Sequence, residues 1–332
     1  MATFFLSTND YNSFIRNLSA QYRVFGLKGE EKNFYWSRLT AEKSEHTPNR
    51  YRALTPVKSF FFPVKEEVTA EPPVEKTILL GVKACDLAHL QTTDAIFLQG
   101  ALADPYYALK RQNTIIISSD CDSYIPACFC TLMGGLPYPT KGFDLNLTPV
   151  REGFLIETGT QAGEDLAKAN TSLFAQASRQ QLAERDNLRN KMTELLKANN
   201  KDFTWTNPKD IVTAKYASQK WESDIAKTCV ECDACRFACG TCYCFLLAES
   251  KKSWERIRSW DSCQSEGYGR VAGGANPRKT KGERLRNLYS CKLQYRPENF
   301  GFYACTGCGR CIEACQGKID IRKSLQKLSE ER

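Results

Sequence analysis

Apolar residues at helical spacing open the chain. Tyr11, Phe14, Ile15 and Leu18 recur along residues 9–20, which predicts an amphipathic helix with Asp10 as its cap. Residues 22–27 and 33–39 predict strands. Residues 41–76 are polar and punctuated by Pro48, Pro56, Pro63, Pro72 and Pro73, with one apolar centre at Phe60, Phe61 and Phe62. They predict an extended connector that packs at that centre. Continuous apolar runs at 77–83 and 113–118 flank a helical pattern over 86–99, with Leu87, Leu90, Ala95 and Leu98 on one side. Strand, helix, strand predicts a βαβ unit and a parallel sheet. Residues 143–150 and 153–157 predict a hairpin. Residues 161–200, rich in Ala, Leu, Glu, Lys and Gln, predict helix, as do 210–227.

The resulting fold class is an α/β N-terminal domain, a helical segment, and a C-terminal domain with a long insert, which two C-x2-C-x2-C-x3-C runs at 229–239 and 305–315 make a two-cluster ferredoxin-like (α+β) domain. The divisions are an N-terminal α/β segment and connector over 1–76, an α/β domain with cysteine-rich loops over 77–160, a helical linker over 161–224, and the cluster domain over 225–332. The insert spans 240–304, with helices expected at 245–260 and 283–293.

The 332 residues include 16 Cys and only 2 His. In a long chain with no signal-like start, cysteines in tight C-x-x-C runs point to metal binding in the cytoplasm rather than to disulfides. No apolar run approaches the roughly 20 residues of a membrane span, so no integral membrane segment is expected. Cys229, Cys232, Cys235 and Cys239 have the spacing C-x2-C-x2-C-x3-C, and Cys305, Cys308, Cys311 and Cys315 repeat it. In the bacterial ferredoxin pattern three thiolates of a run take one cubane and the fourth reaches the other. One [4Fe–4S] cluster is therefore assigned to Cys229, Cys232, Cys235 and Cys315. A second goes to Cys305, Cys308, Cys311 and Cys239. A structural zinc scaffold is the competing reading, although zinc takes only four ligands.

Cys85, Cys121, Cys128 and Cys130 follow the two βαβ strands, where sites gather in open α/β sheets. They are candidates for a third [4Fe–4S] cluster, against the alternative of inert packed thiols. Cys242, Cys244, Cys263 and Cys291 are the remaining set and an additional metal-site candidate. The formal net charge is +8. Each bound cluster adds about −2 through its four thiolates, so the basic excess is partly an internal counter-charge and no nucleic-acid partner is expected. Residues 251–296 hold an excess of about +8, either a solvated surface or a docking face that uses Arg256, Arg258, Lys279, Arg284 and Arg286.

Six further motifs resemble one family. GVKACDL at 81–87, DPYY at 104–107, CFC at 128–130, TCYCF at 241–245, WDSC at 260–263 and GGANPR at 273–278 look like motifs of the iron–sulfur β subunits of soluble sulfhydrogenases and of the corresponding iron–sulfur subunits of anaerobic sulfite reductases. The resemblance covers residues 77 to about 322. It implies a non-catalytic electron-transfer subunit of an oxidoreductase complex of anaerobic metabolism. Such a subunit is partnered by a flavoprotein that handles NAD(P)H and by a catalytic redox subunit of hydrogenase, sulfite reductase or heterodisulfide reductase type. The chain departs from the pattern at Gly240 and Gln316, where ferredoxin runs carry Pro, and at Cys291. A catalytic reductase with a substrate-accessible cluster is the alternative. No Ser/His/Asp set, paired-His motif, P-loop or GxGxxG run is present to support other chemistry.

Overall fold

The computed structural model describes residues 2–30, 33–40, 46–70, 74–99, 102–251 and 254–331. Pro72 and Pro73 lie outside them. Strand β1 (Thr3–Ser7) leads into α1 (Thr8–Gln21), whose buried face is Tyr11, Phe14, Ile15 and Leu18. The helix is capped by Ser7, which accepts from the Asp10 N–H. Asp10 therefore sits in the first turn, where its charge suits the helix dipole, and is not the cap. Then come β2 (Arg23–Glu30), β3 (Asn33–Leu39), β4 (Lys65–Glu67) and β5 (Thr77–Val82). Helices α2 (Ala84–Phe97) and α3 (Pro105–Gln112) precede β6 (Thr114–Ser119), β7 (Leu145–Val150) and β8 (Gly153–Thr158).

Helix α4 (Gln161–Ala169), strand β9 (Phe174–Gln176) and helix α5 (Arg179–Asn199) fill the stretch expected to be helical throughout. Eight strands form one sheet in the order β3-β2-β5-β6-β7-β8-β1-β9. Its centre, β2-β5-β6-β7, is parallel, as the βαβ reading requires. Segments 1–76, 77–160 and 161–224 all contribute strands to this sheet.

Alternation along β5 serves two cores. Ile78 and Leu80 join α1 on one face, while Leu79 and Val82 join α2, Phe61, Phe62 and Tyr107 on the other. A bulge at Gly81, with φ of 91°, resets the register so that Val82 shares a face with Leu79.

The third core belongs to the C-terminal part. It gathers α6 (Pro208–Ala214), a π turn (Trp221–Ile225), α7 (Ala234–Phe237), α8 (Lys281–Ser290), α9 (Arg296–Phe300), α10 (Arg310–Ala314) and α11 (Ile321–Ser329) around Trp205, Trp221, Leu288 and Leu325. The helix expected over 210–227 is thus interrupted after Ala214. The one expected over 245–260 is instead a hairpin of β10 (Phe245–Glu249) and β11 (Arg256–Trp260), extended by β4 into a three-stranded sheet. Packing decides the second case. Trp260 and Phe245 close on Phe62, the Trp260 indole donates to the Phe62 carbonyl at 3.0 Å, and Arg258 is ion-paired with Glu66 and Asp104. The expected helix at 283–293 is α8 running into a π turn, Cys291–Tyr295.

Candidate metal centres

The two cysteine runs have the same backbone. In the first, Glu231 and Asp233 take positive φ, 55° and 59°. In the second, Gly307 and Gly309 do so at the matching positions, with φ of 68° and 74°. Left-handed residues at alternate positions turn successive N–H groups toward one concavity, a geometry suited to anions and iron–sulfur groups. The second run needs glycine because another backbone lies against it. A Cβ on Gly307 would stand 2.5 Å from the Phe129 carbonyl and the Cys130 nitrogen. The first run tolerates acids because they are tied down. Ser262 and Ser265 each donate to Asp233 at 2.6 Å, and Glu231 pairs with Arg284.

All eight thiols of the runs line one cavity, walled by Phe129, Leu285, Leu288 and Tyr289. Cys315 stands among Cys229 and Cys235, while Cys239 stands among Cys305 and Cys311. Burial, reinforced by these thiol neighbours, pushes Cys235 and Cys305 up to about 12. Two thiols go the other way. Burial opposes the Cys239 thiolate, but the Lys292 ammonium, 3.0 Å from its sulfur, brings it down to about 5. Cys308 is held at about 6 against burial by His89, Arg310 and Arg52. Thiolate is the form that binds iron.

His89 also accounts for Gly240. A Cβ there would fall inside the imidazole, so neither Pro nor any other side chain fits without displacing it. The ring contacts Thr306 Oγ1 at 2.8 Å and Asp86 Oδ1 at 3.2 Å.

Cys85, Cys121, Cys128 and Cys130 line a second cavity. Cys85 opens α2 beyond β5, and Cys121 follows β6, so both emerge at the C-terminal edge of the parallel strands. The CFC loop is pinned by Asn199 and Asn200 at the end of α5, which donate to the Cys128 carbonyl at 3.1 and 3.0 Å. Around this cavity lie two buried cations. Lys83 donates to Ser119 and the Pro48 carbonyl. Arg52 pairs with Glu313 and leaves Nη1 without a partner. Four thiols, a buried ammonium and a partly unsatisfied guanidinium fit a dianionic cluster.

Gly307 and Cys308 line this cavity too, so Cys308 stands in the wall between the two. The loops are joined directly, with the Phe129 N–H donating to the Gly307 carbonyl at 2.8 Å, and Arg310 pairs with Asp86 at 2.8 Å in full burial.

The last four cysteines are not assembled in this way. Cys242 faces Lys292 at 3.0 Å, Cys244 and Cys263 touch each other, and Cys291 begins the π turn. Among the described residues, no group of three or more His, Cys, Asp or Glu converges to hold a single metal ion. The expected basic docking face is also reduced. Arg258 and Arg284 are buried and internally paired, and Arg286 lies over Tyr216, while Arg256 and Lys279 are exposed. Arg52, Lys58, His89 and Lys292 lie outside the motifs, Lys83 and Arg236 sit inside motifs but not at their cysteine positions, and sequence reasoning gave none of the six a role.

Residues 228–319 match the 4Fe-4S dicluster domain family, so the C-terminal part is an iron–sulfur domain. Over nearly its whole length the chain is similar to the Sulfhydrogenase 2 subunit beta of Pyrococcus furiosus, at 29% identity across 98% of this chain and 98% of the relative. The chain is thus an iron–sulfur redox protein related to a hydrogenase β subunit, as its motifs imply. Among the described residues no helix is long and apolar enough to cross a membrane.

Proposed function

We propose that the chain is the electron-transfer subunit of a cytoplasmic redox complex, with three [4Fe–4S] sites in series. It connects a flavoprotein that handles NAD(P)H to a catalytic subunit. The observation that carries this reading is the position of Cys308, which lines both the ferredoxin cavity and the cavity of Cys85, Cys121, Cys128 and Cys130. Bound clusters supply one-electron acceptance and release. The protein supplies the rest. Cys229, Cys232, Cys235 and Cys315 hold one site, Cys305, Cys308, Cys311 and Cys239 the next, and the four sheet-edge cysteines the third. Buried Lys83, Arg52, Arg310 and Lys292 offset the negative charge that reduction adds.

Cys232 is exposed, which favours an electron exit from the proposed first site near the surface, and the cavity of the proposed third site is lined by Tyr51, Ala84, Cys85 and Cys121 of the α/β part. The test is loss of iron by site in the full chain, purified without oxygen. Cys121→Ala is expected to remove about four irons and leave the ferredoxin signals intact, and Cys232→Ala to remove a different four. Full iron in the Cys121 variant would exclude the third site.

A further inference from the structure

The connector before β4 is fastened to both sides of the sheet-edge cavity. On the sheet side, the Pro48 carbonyl accepts from Lys83 and Ser119, at the ends of β5 and β6, and the Asn49 carbonyl accepts from the Asp122 N–H at 2.9 Å. On the cluster-domain side, Arg52 Nε donates to the Cys308 carbonyl at 2.7 Å, and the Ala53 carbonyl accepts from Arg310 Nε at 2.8 Å. Between these ties, Tyr51 and Arg52 line the cavity together with Cys85, Cys121, Cys128 and Cys130.

Two donors in this lining are buried with nothing to donate to. The Arg52 side chain is 1% exposed; Nε holds the Cys308 carbonyl and Nη2 pairs with Glu313, but Nη1 has no partner among the described residues. Ser123 lines the same cavity, and its Oγ is also buried without a partner. Buried donors are rarely left unsatisfied, and a charged one is the costliest to leave so. Both are accounted for by an acceptor inside the cavity. The sulfurs of an iron–sulfur cluster are such acceptors, and hydrogen bonds to them are one of the ways a protein sets a cluster's potential.

Resting on the reading that this cavity holds the third cluster, we infer that Arg52 Nη1 and Ser123 Oγ are the donors that hold it and raise its reduction potential. A donor or a positive charge beside cluster sulfur favours the reduced state, which carries one more negative charge. Arg52 has a second effect. The same guanidinium fixes the carbonyl of Cys308, which stands in the wall between the two cavities, so its charge acts on the neighbouring cluster as well. Ser123 lines the sheet-edge cavity alone. The two residues therefore predict different patterns. Loss of Ser123 Oγ lowers one midpoint, and loss of Arg52 lowers two, the sheet-edge midpoint more. The cluster of Cys229, Cys232, Cys235 and Cys315 is the internal control.

The test is an EPR-monitored redox titration of the full chain, purified without oxygen, with iron measured on the same samples. The sheet-edge signal is the one missing from Cys121→Ala. Ser123→Ala removes only an unsatisfied hydroxyl, so the fold and the iron content should stay. Its sheet-edge midpoint is expected to fall by ~30 mV, a threefold change in a one-electron equilibrium. Arg52→Met is expected to lower the same midpoint by ~60 mV or more, a tenfold change, and Arg52→Lys, which keeps the charge, to recover most of it. If Arg52→Met sheds the sheet-edge iron, Arg52→Lys and Ser123→Ala still carry the comparison. About twelve irons in wild type, with a sheet-edge midpoint that stays put or rises in these variants, overturns the donor assignment alone. About eight irons in wild type overturns it together with the third cluster, so the wild-type iron content tells the two failures apart.

Discussion

Buried cations, more than the thiols themselves, distinguish these sites from a generic cysteine-rich loop. Lys292 is the clearest case, since its ammonium donates to Cys239 and Cys242 at 3.0 Å and to Thr241 at 3.2 Å from a π turn. Removing it takes a positive charge and an N–H···S bond from a proposed cluster ligand, so reduction becomes less favourable. Lys292→Met is expected to move one cluster midpoint negative by ~60 mV or more, a tenfold change for one electron, with Lys292→Arg retaining most of the wild-type value. An EPR-monitored redox titration reads it, and a midpoint that stays put or rises contradicts this role. At Gly240 the constraint is steric. Gly240→Ala would drive a methyl into His89, and the fold should lose about 1–3 kcal/mol, read as a lower denaturant midpoint. An unshifted midpoint would show that the ring moves freely. The cysteine spacing was legible because each ligand set is local along the chain. The cations were not: Arg52 reaches the Cys308 carbonyl across 256 residues, and Lys58 reaches the Cys242 carbonyl across 184. No window of sequence holds both partners.

Elements were legible where one periodicity dominated. Helix α1, strands β2, β3, β5 and β6, and the β7–β8 hairpin appear close to where apolar spacing puts them. The 245–260 stretch failed because its helix-forming Leu, Ala, Glu, Lys and Arg residues are overridden by packing, and a strand from the connector, β4, supplies the third partner that makes the hairpin a sheet. Short β1, β4 and β9 and helix α3 gave too few positions for a period to register. The CFC loop and the second cysteine run are one structural unit, joined at Phe129 and Gly307 and closed by Arg310 with Asp86. A fragment of residues 1–220 lacks Gly307, Cys308 and Arg310, so the sheet-edge cavity proposed as a cluster site is complete only in the full chain. Gly307→Ala combines a left-handed backbone with a methyl 2.5 Å from the neighbouring loop. It should lower stability by about 1–3 kcal/mol and loosen the sheet-edge iron first. Parallel measurement of unfolding and iron content checks this, and stability equal to wild type would mean the loops are not in contact.

Across the whole molecule, basic residues divide into an internal and an external set. Arg258 and Arg284 neutralise Glu66, Asp104 and Glu231 within the fold, while Arg256 and Lys279 face solvent. Association with an acidic redox partner should therefore depend on salt through the second set alone. Arg256→Glu with Lys279→Glu is expected to slow electron transfer from the flavoprotein partner several-fold at low ionic strength, with the difference vanishing at high salt. Rates that are identical at low salt would move the docking face elsewhere. A relay of three cluster sites, joined through the wall that contains Cys308, is tested most directly by the metal content of the intact chain. Iron, zinc and acid-labile sulfide measured on protein purified without oxygen should give about twelve irons and about twelve sulfides per chain. About eight of each would remove the sheet-edge site and end the series at the ferredoxin domain, and zinc without sulfide would contradict an electron-transfer role altogether.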